Sequence, residues 1–276
     1  MDDLFAPRPG TGTGDTRIHV GIGGWTYAPW RGGVFYPDKL VQRRELEYAS
    51  RQLTAIEING TYYGAQKPAT YASWRDQVPP GFVFSAKAPK RIMASRRLAS
   101  VAAQVEDFLA GISVLGERLG ALLWQFERGQ APGLDELAAF LDLLPAQADG
   151  RRLRHALELR EPALFTPALL DLLRARNVAL VFAGSGEHPS FADLTADFTY
   201  ARLMQSRAGL QAGYPDEALD GWARRARQWA AGEDPADLPH LGPAQGAGPP
   251  REAFVFFIAA AKERNPAAAR ALIERL

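Results

Sequence analysis

The chain has 276 residues, 47% hydrophobic and 23% charged, and contains no cysteine. The length suits one large domain or two small ones, and the composition excludes wholesale disorder. The absence of cysteine excludes a disulfide framework, a thiolate nucleophile and cysteine-bound zinc. With 32 basic and 31 acidic residues the net charge is +1, which gives no global field for a polyanion.

Four histidines are too few for a histidine-rich metal site. The most apolar stretch, Ala253 to Ala261, is nine residues long, well short of the ~20 that a membrane span needs. Residues 1–16 read as a disordered lead-in. They lack the basic start and apolar core of a signal peptide, so the expected location is the cytoplasm.

From residue 17 onward, short apolar runs alternate with helical patterns. The predicted strands are Arg17–Gly23, Ala55–Asn59, Phe82–Lys87, Ala121–Gln125, His155–Arg160, Val178–Phe182, Phe198–Leu203 and Phe254–Ile258. The predicted helices are Arg43–Gln52, Pro68–Gln77, Leu98–Leu115, Leu134–Leu144, Pro167–Arg176, Pro215–Ala231 and Pro266–Leu276. Thr166-Pro167 and Asn265-Pro266 each offer an N-cap followed by proline at the first helical position. The connection from Ala183 to Ala196 shows no helix. Eight strands alternating with helices read as a single (β/α)8 TIM barrel over 17–276. A Gly/Pro/Ala/Asp-rich segment at about 232–250 reads as a flexible loop. A Rossmann fold is disfavoured, because no helix opens after Gly21-Ile22-Gly23-Gly24.

Strand parity then selects a site. In a barrel, alternate residues point inward. Ile56 and Ile58 want the helix layer, so Glu57 and Asn59 point in. Likewise Leu157 and Leu159 face out and Glu158 and Arg160 face in. Lys87, Gln125 and Arg202 complete the expected upper layer, with Tyr200 as a further ligand candidate. The five charged groups of this layer sum to +1, and a core would normally carry Val, Ile and Leu there. They form either a paired buried network or a site that an anionic ligand completes.

The first βα loop carries Trp25, Tyr27, Trp30, Phe35 and Tyr36, and Tyr62 and Tyr63 extend the same rim. These rings could stack on a sugar or base, or simply pack against one another in the barrel mouth. None of His19, His155, His188 and His240 has ligand spacing. Lys87 could serve as a Schiff-base lysine if desolvated, although a charged structural or phosphate-binding role fits its carboxylate neighbours better.

The segments Gly21-Ile22-Gly23-Gly24-Trp25-Thr26-Tyr27, Phe35-Tyr36-Pro37, Ala55-Ile56-Glu57-Ile58-Asn59-Gly60-Thr61-Tyr62-Tyr63 and Phe84-Ser85-Ala86-Lys87-Ala88-Pro89 resemble the DUF72 (YecE-like) family. The resemblance continues through Gln125, Glu158–Arg160 and Tyr200–Leu203. It implies a TIM barrel and supplies no function, and that barrel is distantly similar to those of endonuclease IV and xylose isomerase. The chain departs from the family pattern at Glu161 and Met204, where histidine is usual, and at Ala259-Ala260, in the stretch where a pair of asparagines is usual.

The leading expectation is an enzyme acting on an anionic sugar, sugar phosphate or nucleotide-like ligand. Glu57 and Glu158 would be its acid–base pair, with Lys87, Arg160 and Arg202 holding the anion. Asn59 and Gln125 would orient hydroxyls. No cofactor is evident, and a divalent metal has no support in the sequence. Two alternatives are kept: a binding or scaffold barrel without chemistry, and an endonuclease-like protein with a basic surface built from Arg31, Lys90, Arg91, Arg96 and Arg97. The near-neutral charge argues against nucleic acid. No membrane contact is expected, and the oligomeric state is not legible.

Overall fold

A computed structural model describes Phe5 and residues 15–276; most of the expected lead-in therefore lies outside the described residues. Eight parallel strands close into a barrel: β1 (Ile18–Gly23), β2 (Ala55–Ile58), β3 (Val83–Lys87), β4 (Leu119–Gln125), β5 (Arg154–Glu158), β6 (Ala179–Gly184), β7 (Phe198–Leu203) and β8 (Glu252–Phe257). Each pairs with its sequence neighbour, and β8 closes on β1 through Val20 opposite Val255. The outer layer holds α1 (Glu45–Gln52), α2 (Pro68–Gln77), α3 (Ala102–Ile112), α4 (Leu134–Leu141), α5 (Pro167–Arg174), α6 (Asp216–Ala231) and α7 (Asn265–Ile273). The expected TIM barrel is present, and as expected no helix joins β6 to β7.

The parity of the strands sets the two cores. Outward residues such as Ile56, Ile58 and Leu157 join the large core beneath the helices. Inward residues form a second core with an uneven filling. Ala55, Ala121, Ala156 and Ala179 are small, whereas Phe198, Tyr200, Phe254 and Phe256 from β7 and β8 supply the bulk. Each fully buried large apolar side chain contributes roughly 1.5–3 kcal/mol. Gly21 makes the close approach of β1 to β2 possible, since a Cβ there would lie 2.0 Å from the Ala55 carbonyl oxygen. Gly21→Ala is expected to cost at least about 1–3 kcal/mol through overpacking, measurable by urea unfolding.

Local signals held in part. Thr166 caps α5 by accepting a hydrogen bond from the Leu169 N–H at 3.2 Å. Asn265 is not the expected cap. It is the first residue of α7, and its side chain ties two loops together. It accepts from Ser206 Oγ at 2.8 Å and donates to the Ala259 carbonyl at 3.1 Å. A two-stranded hairpin, Gln147–Ala148 with Arg151–Arg152, turns through Asp149 and Gly150 at φ +50° and +72°. Asp-Gly is a strong sequence signal for that turn, one the expected elements did not include.

The segment 232–250, expected to be flexible, is richly hydrogen-bonded. The Asp234 carboxylate bonds His240 and the Gln245 N–H, each at 2.8 Å. The Asp193 carboxylate accepts from the Leu241 and Gly242 N–H groups. Among the described residues, no helix is long and apolar enough to cross a membrane.

Candidate functional site at the barrel mouth

The parity argument brings Glu57, Lys87, Gln125, Glu158 and Arg202 to the C-terminal ends of their strands, with Asn59 and Arg160 just beyond. Glu57 and Glu158 are fully buried, and Arg202 nearly so. Arg202 grips Glu57 with two hydrogen bonds of 3.0 Å and donates to Glu158 Oε2 at 2.6 Å. Tyr200 OH donates to Glu57 Oε2 at 2.8 Å. Glu158 Oε1 accepts from Gln125 Nε2 at 2.5 Å and from Arg160 Nε at 3.0 Å. Burying ions costs several kcal/mol each, and only this density of charge-assisted bonds offsets it.

The electrostatics follow from the packing. Burial pushes the Glu158 carboxyl up, but Arg202 and Arg160 outweigh it and hold it down at about 2. Burial would strip the proton from Arg202, yet Glu158 and Glu57 raise its pKa above the ordinary value. Burial drives the Tyr200 hydroxyl well up, reinforced by Glu57, so it stays a donor. Lys87 is pulled down, first by burial and then by Arg202, against the partial compensation of Glu127.

Glu127 is the residue that the sequence reading missed. Its carboxylate bonds Arg160 Nη1 and lies 3.5 Å from Lys87 Nζ. Its side chain is 35% exposed, whereas those of Lys87 and Arg160 are 12% and 18% exposed. The signal was available: Glu127 stands two residues past Gln125, on the same parity. Three carboxylates now face three cations, so the expected net positive charge of the layer is cancelled. It reappears only if Glu127 leaves.

Gln125 gives its amide N–H to Glu158 and leaves its own Oε1 buried without a partner. Asn59 sits beside Gly23, where a Cβ would come 2.8 Å from Asn59 Nδ2. Lys262, the first residue of a 3-10 turn after β8, is a second residue that the sequence did not single out. Its ammonium lies 4.5 Å from the Tyr27 ring and 5.5 Å from that of Trp30, and burial lowers its pKa.

The aromatic rim divides. Trp30 is fully buried, with its indole N–H on the Lys262 carbonyl, and it packs with Phe35 and Tyr36. Trp25 packs edge-on against Trp74, at 4.9 Å. Trp30 offers no free face for stacking, whereas Trp25 stays half-buried at the rim. Tyr63 is 87% exposed, and Tyr62 lies under the Lys87 ammonium at 3.9 Å. Trp25, Tyr27, Tyr62 and Tyr63 therefore remain as rim aromatics.

The positions that depart from the family pattern have definite places. Glu161 accepts the Gly129 N–H at 2.5 Å and so steadies the loop carrying Glu127. Met204 packs at the edge of the inner core. Ala259 and Ala260 adopt φ +54° and +48°, a region that asparagine tolerates better than alanine.

The histidines stand apart from this network. His155 accepts from the Trp124 indole N–H at 3.0 Å, and burial lowers its pKa to about 4. His19 pairs with Glu252. Among the described residues, no group of three or more His, Asp or Glu side chains could hold a metal ion. Of the basic residues considered for nucleic acid, Arg31 is paired with Glu45 and Arg91 with Asp107.

Fold and mouth together define a TIM barrel with a closed ionic floor at the C-terminal end. The chain belongs to the DUF72 family, matching "Protein of unknown function DUF72" over residues 19–276. Two curated relatives, the UPF0759 protein YecE of Escherichia coli K12 and of O157:H7, are each 29% identical over 150 residues. The match covers 54% of this chain and 50% of theirs, so the chain spans about half the length of the curated relatives it matches. A DUF72 family protein of Thermotoga maritima MSB8 is similar in structure, with a TM-score of 0.69 at 18% identity, covering 94% of this chain and 98% of that one. A DUF72 family protein of Enterococcus faecalis V583 has a TM-score of 0.66 at 17% identity, covering 94% of each chain. These likenesses show the fold.

Proposed function

We propose that the barrel mouth binds an anionic, hydroxyl-bearing small molecule of the sugar-phosphate or nucleotide class, above a floor that takes no part in proton transfer. The observation that carries this reading is the fork of Lys87 and Arg160, two largely buried cations sharing the more exposed carboxylate of Glu127. A ligand phosphate can replace that carboxylate, and the layer's charge without Glu127 is one positive.

The expected acid–base pair does not fit this arrangement. Both oxygens of Glu57 are taken up by Arg202 and Tyr200. Glu158, held at about 2, carries no proton to give near neutral pH. The binding role favoured here is therefore the non-catalytic alternative.

Glu127→Gln tests it. Removing the competing carboxylate is expected to tighten binding of glucose 6-phosphate or AMP about three- to tenfold by calorimetry. Arg160→Ala is expected to weaken it by tenfold or more. Equal affinities in all three proteins, or weaker binding in Glu127→Gln, would show that the fork is not the anion site.

A further inference from the structure

Lys262 stands outside the ionic network of the barrel floor. Its ammonium lies over the Tyr27 ring and beside that of Trp30. Among the described residues no ion pair forms on it, and burial lowers its pKa with no carboxylate to counter the effect. Lys87 is lowered by burial too, but Glu127 stands 3.5 Å away to oppose it. A half-buried cation with only aromatic partners is incompletely compensated. An anion arriving from solution can complete it.

The backbone holds this cation in place under strain. Ala259 and Ala260 are consecutive alanines in the left-handed region, at φ +54° and +48°, where a Cβ is crowded. The turn is pinned from three sides. Asn265 donates to the Ala259 carbonyl, Ser206 Oγ to the Ala261 carbonyl at 3.3 Å, and the Trp30 indole N–H to the Lys262 carbonyl at 2.9 Å. Strain of this kind persists only where the surroundings over-determine it, and it gathers at ligand sites.

Lys262 and the Lys87–Arg160 fork lie on either side of β1 and β2. The strand order here is β3, β2, β1, β8; Lys87 ends β3 and Lys262 follows β8. Both ammoniums sit on tyrosines, Lys87 on Tyr62 at 3.9 Å and Lys262 on Tyr27 at 4.5 Å. Between them β1 ends in Gly23 and Gly24, without a side chain, and a Cβ on Gly24 would meet nothing within 4 Å. The half-buried Asn59 amide lies at the same place, against Gly23. Three strand intervals separate β3 from β8, roughly 14 Å along the wall. One phosphate cannot span that, but two on one small molecule can. Tyr27 and Tyr62 each already carry an ammonium on one face, which favours a hydroxylated chain over a nucleobase between them.

We propose that Lys262 is the second anion contact of the mouth, so that the ligand is a bisphosphorylated sugar with one phosphate on the fork and the other on Lys262. This rests on the reading of the fork as a phosphate site and narrows its ligand class.

The test compares fructose 1,6-bisphosphate with fructose 6-phosphate by calorimetry on the full chain. The bisphosphate is expected to bind about tenfold tighter. Lys262→Met keeps a long side chain on Tyr27 and Trp30, removes the charge and should abolish that advantage. Lys262→Arg should keep most of it. If Lys262→Met fails to fold by circular dichroism, Lys262→Gln takes its place. Equal affinities for the two sugars in the unaltered protein overturn the proposal, as does an advantage that survives loss of the charge. Arg160→Ala separates the two claims. If it weakens fructose 6-phosphate binding while the bisphosphate shows no advantage, the fork stands and Lys262 falls. If it changes neither sugar while Lys262→Met abolishes the advantage, the fork falls and the bridge with it. No saturable binding of either sugar at millimolar concentration overturns both.

Discussion

Arg202→Ala is expected to destabilise the protein by about 3–5 kcal/mol, because it leaves buried carboxylates without their counter-charge. Among the described residues, Arg202 is the one cation ion-paired with both Glu57 and Glu158. Its loss strips Glu57 of both guanidinium bonds and leaves Glu158 only Arg160 and Gln125. For a chain of this size the deficit corresponds to a fall of roughly 10 °C in melting temperature. Arg202→Lys is expected to recover only part of it, since a point charge cannot reproduce the two-pronged grip on Glu57. Urea unfolding checks both variants. A loss for Arg202→Ala within about 0.5 kcal/mol of zero would mean that the network is hydrated and contributes little.

The second large effect is a two-part loss of stability in acid. Glu158 has a folded pKa of about 2 against an ordinary 4.5. A depressed carboxyl stabilises the fold above the unfolded value, and that contribution is lost as pH falls through the folded one. The difference is worth about 3 kcal/mol, disappearing between about pH 5 and pH 2. His155 acts earlier. Burial lowers its pKa from 6.5 to about 4, so the unfolded chain takes up a proton that the folded chain refuses. Stability therefore also falls as pH drops from about 7 to 4, again by about 3 kcal/mol. Unfolding free energies measured from pH 7 to pH 2 should show both limbs. Glu158→Gln should flatten the lower limb and keep the upper one, and His155→Phe should do the reverse. A Glu158→Gln protein with an unchanged acid limb would contradict the assignment.

Much of this was legible in the sequence, for physical reasons. A period of two along each strand, with aliphatics at Ile56, Ile58, Leu157 and Leu159, forced Glu57 and Glu158 into the barrel before any contact was known. The same arithmetic placed Lys87, Gln125 and Arg202. It stopped at the strand ends, so Glu127, one turn of parity later, was missed, and the charge of the layer was misjudged by one. Lys262 follows an irregular run of alanines and opens a single 3-10 turn, where no period points anywhere.

The aromatic loop shows a different limit. Composition alone cannot tell a ring that faces solvent from one that plugs a core, and Trp30 proved to be a plug. Asn265 carried a cap signal beside a proline, but its amide found stronger partners in Ser206 and Ala259. Tertiary hydrogen bonds overrode a local preference there. The sequence left a paired network and a ligand site both open, because which carboxylate meets which cation depends on where the long Arg202 side chain ends.

In the proposed function, Glu127 stands in for a ligand anion on Lys87 and Arg160. The most direct measurement is a crystal structure of the protein soaked with glucose 6-phosphate or AMP. The expected result is a phosphate within hydrogen-bond distance of Arg160 and Lys87, Glu127 rotated off both, and the Glu57–Arg202–Glu158 network unchanged beneath. A phosphate bound away from this fork, with Glu127 still on both cations, would contradict it.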